Sequence, residues 1–139
     1  MKPCELRFGP ASAAALIAAA LLAGCTPSPA PQRDYILYRA SGNPIAVSEH
    51  VSEQVRACWF GADRASFAGY AYTPEIDSGR ARVLVVPAND PTGLPKLVVE
   101  STQAGYGTDV KLFGPLLAGP QGARIQADVA RWSAGTAGC

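Results

Sequence analysis

Histidine occurs once in these 139 residues, and charged side chains make up only 17% of them. A lone imidazole does not build a metal centre by itself, because such centres draw several ligands at set spacings. The serines lie in no G-x-S-x-G context, and there is no Walker-type loop; Gly105-Tyr106-Gly107 lacks the rest of a dinucleotide fingerprint. There is no C-x-x-C pair. The 12 basic and 11 acidic residues nearly cancel and form no run of one sign. Nucleic-acid binding needs an electrostatic footprint, and none is present. No apolar run reaches the roughly 20 residues that cross a bilayer as a helix.

What the chain does have begins at its first residues. Lys2 and Arg7, with Glu5 between them, precede an uncharged Ala/Leu/Ile run from Ala11 to Ala23. That run has the length of a secretory signal core. It ends in Leu22-Ala23-Gly24-Cys25, small residues that fit a peptidase cleft followed by a thiol able to take up a diacylglyceryl group. This segment resembles the lipobox of bacterial lipoproteins; the competing reading is an ordinary signal with an incidental cysteine. The resemblance implies cleavage after residue 24 and lipid on Cys25. Several acyl chains hold a protein stably, each buried methylene contributing about 0.8 kcal/mol. Thr26, where retained inner-membrane lipoproteins carry Asp, implies the outer membrane of a Gram-negative source, with the domain facing the periplasm.

Residues 26–33 alternate proline with small or polar residues, which favours an extended path. The expected organisation is a signal peptide over 1–24, an acylated cysteine and proline-rich tether over 25–34, and one domain over 35–139. Without Lys2, Arg7 and Glu5 the basic and acidic counts become 10 and 10. Cys4 leaves with the signal and Cys25 carries lipid, so Cys58 and Cys139 remain in an oxidising space. They are expected to form a disulfide that pins the Gly-rich C-terminus. Closing a loop of about 80 residues stabilises by about 4 kcal/mol in the chain-entropy model.

The domain reads as α+β. Tyr35-Ile36-Leu37-Tyr38 is a candidate short strand. Asn43-Pro44 is an N-cap with proline in the first turn, and Val47, Val51, Val55 and Cys58 recur at helical spacing. That predicts a helix over 44–59, ended by Gly61. Strands are predicted over 67–73, stopped by Pro74, then over 80–86, 95–102 and 109–113. Asp77-Ser78-Gly79, residues 89–93 and Gly105-Tyr106-Gly107 supply turn chemistry between them. Ile125, Val129 and Trp132 predict a second helix after Gly122. The expected architecture is a four-stranded antiparallel meander with an N-terminal and a C-terminal helix on one face and a solvated opposite face. Trp59 and Trp132 are expected in the core.

No motif for catalysis, a cofactor or a metal emerges, so the expected function is a protein-binding or scaffold module of the cell envelope. Its partners would be the membrane, through Cys25, and an envelope protein. Tyr70, Tyr72, Arg80 and Arg82 on the first hairpin form the candidate binding surface, with strand addition at an exposed edge as the mode. The alternative is a small envelope hydrolase or metal-binding protein using Glu75, Asp77 or His50. Acidic residues are also common in hairpin turns for conformational reasons, and His50 reads equally as a solvated helix residue.

Overall fold

The computed structural model describes residues 34–139. The expected signal segment, the expected acylation site Cys25 and the expected tether up to residue 33 lie outside the described residues.

After β1 (Ile36–Ser41) the chain enters helix α1 (Pro44–Gln54). Asn43 caps it, its side chain accepting the Ala46 N–H at 2.9 Å, and Pro44 occupies the first turn, where its missing N–H costs nothing. The predicted helix over 44–59 does not stay α-helical. From Val55 to Ala62 it widens into a π-helical turn, closed by the Asp63 N–H bonding the Cys58 carbonyl five residues back at 2.8 Å. Two consecutive side chains, Cys58 and Trp59, are both fully buried there.

Four antiparallel strands follow: β2 (Tyr70–Asp77), β3 (Arg80–Pro87), β4 (Leu97–Ala104) and β5 (Gly107–Phe113). The sheet nevertheless has five strands, in the order β1-β5-β4-β3-β2, which corrects the expected four. β1 pairs antiparallel with β5 from Ile36–Leu112 to Ser41–Gly107. Helix α1 thus carries the chain from one edge of the sheet to the other, and the meander walks back. Helix α2 (Gly122–Ser133) then returns over the same face as α1.

The β2–β3 turn follows the predicted chemistry. Ser78 (φ 49°) and Gly79 (φ 79°) are both left-handed, as a two-residue hairpin turn that matches strand twist requires. The strand bounds shift by up to four residues from expectation, and both ends of β2 do so for a clear reason. Phe67 lies before β2, buried and stacked on Trp59 with ring centroids 5.2 Å apart. Pro74 does not stop β2 but sits in its middle, opposite Val83. Antiparallel pairing alternates, and the Ala88 N–H bonding the Gly69 carbonyl at 2.9 Å sets its phase. Odd-numbered β2 residues therefore bond β3, while Tyr72, Pro74 and Ile76 turn their backbone to the free edge. An edge position that faces outward is where a strand tolerates proline.

Valines and leucines of β3, β4 and β5 meet Val51, Val55 and Trp59 on one side and Ile125, Val129 and Trp132 on the other. Both tryptophans are core residues, as expected. Cys58 and Cys139 are joined by a disulfide, with Cα atoms 5.3 Å apart. The far face of the sheet is not uniformly polar. A charged row, Lys111, Glu100, Arg82 and Glu75, runs across β5, β4, β3 and β2 beside an apolar row of Phe113, Val98 and Leu84. Val98 and its neighbour Val86 on that face are buried.

Candidate binding groove

The sheet register divides the four predicted surface residues. Tyr70 and Tyr72 stand on the helix side of β2, aligned with Pro87 and Val85, while Arg80 and Arg82 stand on the far side with Asp77 and Glu75. Tyr72 is half-buried and packs against Phe60, centroids 5.0 Å apart. Tyr70, the first residue of β2, lines a separate hollow of about 370 Å³ with Lys96, Leu116 and Gln121. No single surface gathers all four. Neither tyrosine is a free side chain, so replacing them disturbs packing as well as any contact with a partner.

The predicted catalytic alternatives are equally dispersed. Arg82 holds Glu75 at 3.2 Å and reaches Asp77 at 3.9 Å, so the two carboxylates share a cation. His50 faces a different small cavity of about 170 Å³, beside Val47, Trp132 and Ser133. Its Nε2 and the Ser133 Oγ are both buried with no hydrogen-bond partner among the described residues, the polar setting in which a buried water is held. Among the described residues, no three His, Cys, Asp or Glu side chains gather where a metal ion could sit. No helix there is long and apolar enough to cross a membrane.

A larger concavity than either of these lies elsewhere. Helix α1 packs over β3 and β4, and the hairpin end of β2 extends beyond it. A groove of about 640 Å³ opens between them. Its helical wall is Ile45, Ser48, Glu49, Ser52 and Glu53. These are successive i, i+3 and i+4 neighbours and form one stripe along the helix beside the core stripe. Its other wall is Pro74, Glu75 and Ile76 of β2 with Ala81 of β3. Ile45 is 47% exposed and Ile76 67% exposed, both large apolar side chains in one concavity.

Electrostatically the walls differ. Glu75 turns its carboxylate to the far face, where Arg82 holds it, whereas Glu49 and Glu53 have no ion-pair partner among the described residues. Two like charges at i and i+4 on a helix repel by a few tenths of a kcal/mol, roughly 0.2–0.5. Glu49 and Glu53 lie off the Val47-Val51-Val55 stripe and are exposed, and Ile45 shares their face, which the sequence analysis passed over. Its signal was available: an isoleucine in the first turn, off the Val47-Val51-Val55 stripe, has no core to enter.

The arrangement offers an apolar floor and a carboxylate wall, with no partnered nucleophile or general base. Set against models of protein families, curated proteins and solved structures, the chain matches none of them.

Proposed function

We propose that this protein is a lipid-anchored component of the cell envelope whose domain binds another protein through the groove between α1 and the β2–β3 hairpin. One observation carries the binding reading: Ile45 and Ile76 are exposed together in a concavity of about 640 Å³. Exposed apolar side chains are ordinary singly, but grouped in a concave site they mark interaction surfaces. Support for the anchor comes from Leu22-Ala23-Gly24-Cys25 and the proline-rich stretch after it, a spacer that holds a domain off a membrane. Thr26 after the acylated cysteine favours the outer membrane, with the domain in the periplasm.

Two experiments test this. Cys25→Ala should leave the protein unprocessed or release it from the membrane fraction; unchanged fractionation removes the anchor. A photo-crosslinking residue at Ile76 should trap a discrete envelope protein in intact cells. The same residue at Leu94, which is 84% exposed in the loop at the opposite end of the hairpin, should not. Identical products from both positions, or none from Ile76, would remove the groove as the binding surface.

A further inference from the structure

We infer that the occupant of this groove is a short extended segment of the partner in which apolar residues alternate with Lys or Arg. The inference rests on the groove being the binding surface and names the chemistry it selects.

Three features of the groove lead there. The first is its length. From Ile45 to Glu53 the helix rises about 12 Å at 1.5 Å per residue, the span of about four residues of extended chain. The second is the spacing of its charges. Glu49 and Glu53 lie about 6 Å apart along the helix, and side chains two apart on a strand lie about 6.7 Å apart. A cation at every second position therefore meets both carboxylates in turn. Neither carboxylate has an ion-pair partner among the described residues, so an incoming cation relieves their mutual repulsion.

The third feature is the opposite wall. Residues between the cations on an extended segment point the other way, and there they meet Pro74, Ile76 and Ala81. Alternating apolar and basic residues thus satisfy both walls with one backbone. The backbone itself is not the handle. A strand added to the free edge of β2 would find no N–H at Pro74, in the middle of the run, so the expected strand addition gives way to side-chain recognition. A second copy of this chain is disfavoured, since a two-fold contact would bring the same carboxylates together. An anionic membrane surface is disfavoured for the same reason of sign.

The test uses the full chain in a neutral detergent, labelled at isoleucine methyl groups, and three synthetic peptides: GSVKVKVSG, GSVSVSVSG and GSVEVEVSG. The lysine peptide should shift the Ile45 and Ile76 methyl signals saturably, with an affinity about tenfold above the serine peptide, and the glutamate peptide should bind weakest. Glu49→Gln with Glu53→Gln should bring the lysine peptide down to the serine level. Raising salt from about 50 to about 500 mM should do much the same. Equal binding of all three peptides at these methyls would overturn the inference and leave the groove standing. No shift with any peptide would overturn both. Methyl shifts that depend on protein concentration alone would assign the groove to a second copy and overturn the cationic partner.

Discussion

The indole N–H of Trp59 donates to Asp128 Oδ2 at 2.9 Å, in a buried contact between the π-helical turn and α2. Asp128 is 4% exposed on an otherwise apolar helix face. Its other oxygen accepts from Arg131 at 2.8 Å, and Arg124 stands 3.6 Å from Oδ2. The carboxylate satisfies a tryptophan whose ring is itself packed against Phe67 and Trp132. Asp128→Ala leaves that buried N–H unpaired and takes from Arg131 one of its two acceptors, Gly138 remaining, which should cost about 1–3 kcal/mol. Asp128→Asn keeps an acceptor and should cost less. Urea unfolding followed by tryptophan fluorescence measures both, and wild-type stability for the alanine variant would refute the role.

The C-terminal staple is more than one bond. Gly138 accepts from Trp132 Nε1 at 3.0 Å and from Arg131 at 2.9 Å, and its own N–H donates to Gln54 Oε1 at 2.7 Å. The disulfide next to it closes a sequence separation of 81 residues. Cys139→Ser should lose about 4 kcal/mol by the chain-entropy argument, since it frees the unfolded chain. Hydrogen exchange at Gly138 should rise from protected to free in this variant. Persistent protection would mean that the hydrogen bonds hold the tail without the crosslink.

Tyr38 on β1 donates its hydroxyl to the Gln126 carbonyl of α2 at 3.1 Å. Burial raises its pKa above the ordinary tyrosine value of 10.0, because the phenolate would lose solvent. The folded state therefore keeps the Tyr38 proton at a pH where the unfolded chain releases it. This contribution is fully present below pH 10.0 and is lost as pH rises through the higher folded value. The stability difference between wild type and Tyr38→Phe should accordingly shrink above that pH. A pH-independent difference in urea midpoints would refute it.

Pro74 protects the free edge of β2. Pro74→Val supplies a backbone N–H there and should promote edge-to-edge association, seen as concentration-dependent light scattering. A variant that stays as monodisperse as the wild type would show that the edge is guarded by something else.

Glu53→Gln separates binding from stability. It removes an i, i+4 repulsion with Glu49 and should raise stability by about 0.3 kcal/mol while weakening capture of a basic segment. A destabilised variant would point to a structural role for the carboxylate.

Much of the fold was legible in local pattern. Val47, Val51 and Val55 at helical spacing, Ile125, Val129 and Trp132 likewise, and Ser78-Gly79 in the hairpin turn each report the wetness or the dihedral needs of their own few residues. The disulfide was legible by elimination, since the expected removal of Cys4 and acylation of Cys25 left Cys58 and Cys139 as the pair. The candidate site was legible only in fragments. Glu49 and Glu53 read as exposed, yet nothing local says that Ile76 lies across from them.

What the sequence by itself determined, then, is the helical or extended type of the main elements, the apolar faces they bury and the identity of the cysteine pair. Those follow from side-chain period and backbone sterics, which act over a few residues. The tertiary structure alone decided that Ile36–Ser41 pairs with β5, that Pro74 rides an outer edge, that the helix widens at Val55 and that Asp128 goes inward to meet Trp59. Each depends on contacts between residues far apart in the chain, and the energy of such a contact exists only once both partners are in place.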